Sequence, residues 1–168
     1  MILTGAAIHA AVRRGEITVA PFNQQNLNPN SYNYHLGESL LVHGRKGWHR
    51  SRIDDAGLIL KPGQVYLAST LERIGSDRFV TLLLGRSSLG RLGLFLNITA
   101  DLGHIGSCSH WTLELTVVQP LRIYPRMTVG QVSFWRTAEA DATHYRGRYH
   151  RDHSPAPNRD ARVEHPVR

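Results

Sequence analysis

Two segments of the chain carry residue types that can do chemistry. The first is Leu84-Gly85-Arg86-Ser87-Ser88-Leu89-Gly90-Arg91-Leu92-Gly93-Leu94, where two hydroxyls and two guanidinium groups are bracketed by glycines. That set offers donors for phosphate oxygens or another polar ligand. Arg-Ser-Ser alone is common in surface turns. Between apolar flanks, however, polar side chains must find partners or serve a ligand. The second segment is Thr112-Leu113-Glu114-Leu115-Thr116-Val117-Val118, with Glu114 in the middle of an apolar, β-branched run. A carboxylate buried there must be paired, or its pKa rises until it holds a proton, as a general acid/base near neutrality requires. The alternative is that period-2 alternation turns Glu114 to solvent with Thr112 and Thr116, and spacing alone favours it.

These residues need a scaffold, and the 168-residue chain is long enough for one domain with a real core. Thr4 as N-cap, Ile8, Ala11 and Val12 at helical spacing, and Gly15 as terminator predict a short helix over 4–14. The Asn/Gln-rich stretch after Pro21-Phe22 reads as a loop to Asn30. Beyond Tyr32, short apolar runs (Leu40–His43, Gln64–Ser69, Phe79–Leu84, Leu94–Ile98, Thr112–Val118, Gln131–Trp135) alternate with Gly and Pro, predicting a mainly β sandwich or barrel. Residues 144–168 hold six Arg, four His and three Pro with few apolar side chains, so they cannot fold alone. They are either a disordered tail or a lid that orders over an anionic ligand. The domain organisation expected is therefore a β body over 1–143 and an arginine-rich tail over 144–168.

Composition narrows the chemistry. Cys108 is the sole cysteine, which excludes an internal disulfide and a cysteine-based zinc site. The His-x-Glu and Pro-Cys-x-x-Cys pair of zinc nucleobase deaminases does not occur. No histidine pair shows convincing metal-ligand spacing, and His150 and His153, on a proline-rich segment, are weak candidates for ligands. A charge of +7, with 18 Arg against 2 Lys, suits an anionic partner such as a nucleotide or nucleic acid, although arginine replacing lysine in a GC-rich genome has the same effect. No run reaches the ~20 apolar residues of a membrane span, and Met1-Ile2-Leu3-Thr4-Gly5 does not begin a secretory signal, so no membrane association and a cytoplasmic protein are expected.

The run 85–94, followed by Ile98-Thr99-Ala100 and Leu113-Glu114, resembles the dCTP deaminase family of the dCTP deaminase and dUTPase superfamily. So do Met1-Ile2-Leu3, Pro21-Phe22 and Ser31-Tyr32-Asn33-Tyr34-His35-Leu36-Gly37 at the start, and Arg148-Tyr149-His150 and Pro155-Ala156-Pro157-Asn158-Arg159 at the end. The resemblance implies a distorted jelly-roll-like, dUTPase-type β fold with a short N-terminal helix, forming a homotrimer with active sites between subunits. It implies hydrolytic deamination of a cytosine deoxynucleotide, dCTP to dUTP and ammonia, in pyrimidine deoxyribonucleotide metabolism and dUMP biosynthesis. It also implies that Glu114 is sheltered and acts as general acid/base, that Ser87 positions the water, and that Arg91 orients and charge-balances the glutamate. Arg86 and Ser88 match phosphate contacts. Ala100, Asp101 and Thr112 match the residues that read the cytosine edge, and Tyr145, Arg148 and Asp152 match tail contacts to the triphosphate. Mg2+ is expected with the triphosphate rather than on a protein cage.

Four positions depart from the family pattern. His104 stands where an Asp is expected, and an imidazole is not a fixed anion for a sugar hydroxyl or water, which argues against dUTP hydrolysis. Asn33 replaces an Asp. Arg148 and Asp152 replace a Lys and a Gln, and Asp152 repels a triphosphate unless it faces away or binds through magnesium. The alternatives to dCTP deamination are another cytosine nucleotide, a dUTPase, or a non-catalytic binder of nucleotide or nucleic acid. Glu114, Ser87 and Arg91 together favour an enzyme over a binder.

Overall fold

The computed structural model describes residues 1–96, 99, 101–138, 143–147 and 154–159. The chain opens with α1 (Gly5–Arg13) and β1 (Ile17–Ala20). The Thr4 hydroxyl accepts from Ala7 N–H, Ile8 and Ala11 are buried, and Gly15 at φ 73° lets the chain leave the helix. The predicted loop contains one 3-10 turn, Gln24–Asn26.

Strands then follow in order: β2 (Tyr32–Gly44), β3 (Gly47–Arg52), β4 (Leu58–Leu60), β5 (Tyr66–Ser76) and β6 (Val80–Gly85). A one-turn helix α2 (Ser87–Gly90) leads to β7 (Leu94–Leu96), β8 (Leu102–Gly103), β9 (Cys108–Val117), β10 (Leu121–Ile123) and β11 (Thr128–Trp135). The main sheet runs β7-β9-β5-β2-β11-β6-β8, with β1 beside β5 and β3 beside β2; β4 and β10 form a separate pair.

Strand β2 holds this sheet together, because its first half pairs with β11 (Tyr32↔Val132) and its second half with β5 and β3 (Val42↔Tyr66, Val42↔His49). Its sequence alternates accordingly: Tyr32, Tyr34 and Leu36 are fully buried, while Asn33 and His35 lie on the other face. Only the second half reads as an apolar run, so the sequence expectation began eight residues late, at Leu40. Strand β3 was not expected at all. Its residues, Gly-Trp-His-Arg-Ser-Arg, are those of an edge strand protected by charge.

One carboxylate lies in the core between β2 and β5. Glu72 is 2% exposed and accepts from the His35 backbone N–H at 2.9 Å, while its other oxygen meets His35 Nδ1. Replacing His35 by Leu leaves Glu72 buried without its ring partner, and urea denaturation is expected to show a loss of about 3 kcal/mol. The double replacement of His35 and Glu72 by Leu is expected to be less damaging than His35→Leu alone.

Candidate functional site

The Arg-Ser-Ser segment is held from both sides. Before it, Leu84 O accepts a hydrogen bond from the Tyr34 hydroxyl at 3.1 Å. Burial, and secondarily the Glu72 carboxylate, pushes that hydroxyl well above its ordinary pKa, so it stays a donor. Within it, Gly90 N–H bonds Arg86 O at 3.1 Å and Arg91 N–H bonds Ser87 O at 3.0 Å, closing a single helical turn. Leu89 is buried and pins the turn to the core. The remaining side chains point away: Ser87, Ser88 and Arg91 are exposed and Arg86 is half-buried. Among the described residues, none of the four makes a side-chain hydrogen bond or ion pair. The donors gathered by this segment are thus free for a ligand or a neighbouring molecule.

After the turn, Gly93 at φ 85° redirects the chain into β7, which pairs with β9 through Leu94↔Val117 and Leu96↔Leu115. The strand leaving the turn is therefore the neighbour of the strand that carries Glu114. On β9, Leu113, Leu115 and Val117 are buried, and Thr112, Glu114 and Thr116 occupy the outward face. Within one chain Glu114 is half-buried rather than enclosed. One of its oxygens accepts from the Thr99 hydroxyl at 2.8 Å and from Thr99 N–H at 3.2 Å. The arginine partner expected from the resemblance, Arg91, makes no bond to Glu114 inside the chain, because it sits on the turn beyond the edge strand β7.

The other expected residues divide in the same way. Thr112 is half-buried, with Ser69 as its register partner on β5. Asp101 is half-buried, and its carbonyl accepts from Leu83 N–H at 3.0 Å. Tyr145 is half-buried and packs on the turn at His104, with its backbone N–H on Ile105 O at 2.8 Å. Ile98, Ala100, Arg148, Tyr149, His150, Asp152 and His153 lie outside the described residues. Thr99 is the residue that the sequence reading passed over. Its signal was present, since a hydroxyl stood inside the Ile-Thr-Ala run already noted. Among the described residues, no three His, Cys, Asp or Glu side chains converge as metal ligands, and no helix is long and apolar enough to cross a membrane.

Residues 2–137 match a family model described as dCTP deaminase-like. The chain belongs to the dCTP deaminase-like family. A relative from Hathewaya histolytica, named dCTP deaminase, dUMP-forming, is 42% identical over 142 residues, covering 80% of this chain and 82% of the relative. A Rhodopirellula baltica protein named dCTP deaminase is 42% identical over 146 residues, covering 82% of this chain and 73% of its own length. The crystal structure of 2'-deoxycytidine 5'-triphosphate deaminase from Agrobacterium tumefaciens aligns with a TM-score of 0.65 at 20% identity. That alignment spans 79% of this chain and 47% of the other, about half of its length, and shows a shared fold.

The geometry of the dCTP deaminase-like turn depends on close packing at its base. A Cβ added to Gly130 would lie 2.1 Å from the Tyr34 hydroxyl oxygen and 2.4 Å from Leu84 O. Gly130→Ala is therefore expected to lower stability by about 1–3 kcal/mol in thermal or urea unfolding. Tyr34→Phe, which only leaves the Leu84 carbonyl without its donor, is expected to cost about 1 kcal/mol.

Proposed function

We propose that this chain deaminates dCTP hydrolytically, giving dUTP and ammonia, with Glu114 as the group that moves the protons. The supporting observation is that β9 presents an outward carboxylate held by Thr99, while its neighbour β7 is entered through a turn whose two arginines and two serines make no side-chain hydrogen bond or ion pair among the described residues. Membership of the dCTP deaminase-like family supplies the substrate class.

The chemistry follows from these groups. Water attacks C4 of cytosine as Glu114 takes one of its protons and delivers it to N3. The resulting tetrahedral carbon carries a hydroxyl and the amino group. Glu114 then carries the hydroxyl proton to the amine, C4 regains its carbonyl, and ammonia leaves. Ser87 aims the water, and Arg91 keeps the carboxylate ionised when it acts as base. Arg86 and Ser88 hold phosphate oxygens, Ala100, Asp101 and Thr112 read the cytosine edge, and Arg148 and Tyr145 reach the substrate from the tail. Magnesium enters as part of the substrate, on the triphosphate.

Because Glu114 and Arg91 do not meet within one chain, the same reading requires a second copy, and we assign a homotrimer with sites between subunits. Support comes from an apolar outward face. Leu84 on β6, Leu102 on β8 and Trp135 on β11 are 48%, 49% and 39% exposed, and β8 and β11 flank β6 on its two sides. Monomers seldom leave such a patch uncovered. Phe95, 49% exposed and paired with Thr116, extends apolar surface beside the candidate carboxylate.

Two product outcomes are open to this chemistry. His104 in place of a carboxylate favours release of dUTP, whereas the dUMP-forming names of relatives favour further hydrolysis to dUMP and pyrophosphate. Incubation with a panel of cytosine and uracil nucleotides separates them. Ammonia from dCTP without pyrophosphate is expected, and equal release of both assigns the dUMP-forming reaction instead. Glu114→Gln is expected to lower ammonia release by about 10²–10⁴-fold with unchanged circular dichroism. Wild-type protein inactive on every cytosine nucleotide would overturn the reading. In sedimentation, the native chain is expected at three times its 18.9 kDa mass, and Leu102→Glu is expected to give folded, inactive monomer.

A further inference from the structure

The turn that precedes β9 is fixed before anything packs on it. Ile105 is 5% exposed, Gly106 N–H bonds Ser76 O at 2.8 Å, and Ser107 N–H bonds His104 O at 3.1 Å. His104 itself is exposed, and its ring is presented outward from this rigid base. Residues 143–147 lie against it through three separate contacts. The Tyr145 ring stacks on the His104 ring with centroids 5.1 Å apart and planes at 27°. Tyr145 N–H bonds Ile105 O at 2.8 Å. His144 packs over Gly106, where an added Cβ would come within 2.9 Å of the His144 Cβ.

Further along, residues 154 and 155 pack against β2, β5 and β9. Pro155 is buried, and with Ser154 it lines a groove formed by Gly37, Ser69, Thr70 and His110. Ser69 is the register partner of Thr112, two residues from Glu114 on the outward face of β9. The arginine-rich tail is thus tied down at two described points, one on the turn that enters β9 and one along the strand itself.

We propose that His104 is a positioning residue that holds the Tyr145 segment by ring stacking, and not an acid, base or ion-pair partner. Its role in turnover rests on the dCTP deaminase reading above; its role as an anchor does not. Among the described residues the His104 side chain makes no hydrogen bond or ion pair, and its ring contact is the stack on Tyr145. Stacking uses only the flat face of the ring, which either protonation state offers and which a benzene ring supplies as well. The same position therefore sets where Tyr145 waits for the substrate. Removal of the ring should weaken substrate capture rather than the chemical step.

The test uses full-length protein with His104→Ala and His104→Phe. Limited trypsin digestion reads cleavage after Arg146, which is exposed within the anchored segment. His104→Ala is expected to speed that cleavage about 2- to 10-fold and to raise KM for dCTP by a similar factor, with kcat changed less than about twofold, while His104→Phe returns both to near the native values. Cleavage at the native rate in His104→Ala, or a His104→Phe protein that behaves like His104→Ala, overturns the proposal. Should the native protein release no ammonia from dCTP, the functional reading fails, and the proteolysis comparison still decides the anchor.

Discussion

Leu113, Leu115 and Val117 are committed to the core, and the pleat of β9 then obliges Glu114 to face outward. Shelter for the carboxylate has to come from outside its own sheet. Thr99 supplies part of it, with two hydrogen bonds to one oxygen. The other oxygen has no hydrogen-bond partner among the described residues, and Thr112 and Thr116 flank it on the same outward row.

The same constraint explains why the donor-rich turn is arranged as it is. Leu89 and the Tyr34–Leu84 bond root α2 in the core, so Arg86, Ser87, Ser88 and Arg91 are held on a stiff base with their polar ends outward. The backbone beneath these donors is already ordered, so only their side-chain rotamers remain to be fixed on meeting an anion. Their lack of partners within the chain is the complement of the lone carboxylate on β9. Exposed apolar side chains at Leu84, Leu102, Phe95 and Trp135 lie on β6, β8, β7 and β11.

Much of this was legible in the residues. The helix at Gly5–Arg13 was readable because Thr4 and Gly15 are strong punctuation, and the central strands because they are apolar and bounded by Gly or Pro. The first half of β2 and all of β3 were not, because tyrosines, a histidine and arginines there hide the alternation from a search for apolar runs. For the site, spacing alone gave Glu114 its correct outward direction, and the motif resemblance gave it a role. What no local pattern could give was the partner. Thr99 reaches Glu114 across fifteen residues of sequence, and the stack of Tyr145 on His104 spans forty-one, so both are products of topology. The buried Glu72 was equally hidden, since its partner His35 lies on a different strand.

The most direct test of a site completed between copies is subunit complementation. Glu114→Gln and Arg91→Ala proteins, each inactive alone, are mixed through denaturation and joint refolding, and ammonia release from dCTP is measured. If Glu114 of one copy works with Arg91 of another, random reassembly restores about a quarter of the sites, because each needs one intact contribution of each kind. If both residues serve the same chain's site, no assembled site is whole and the mixture stays as inactive as its components.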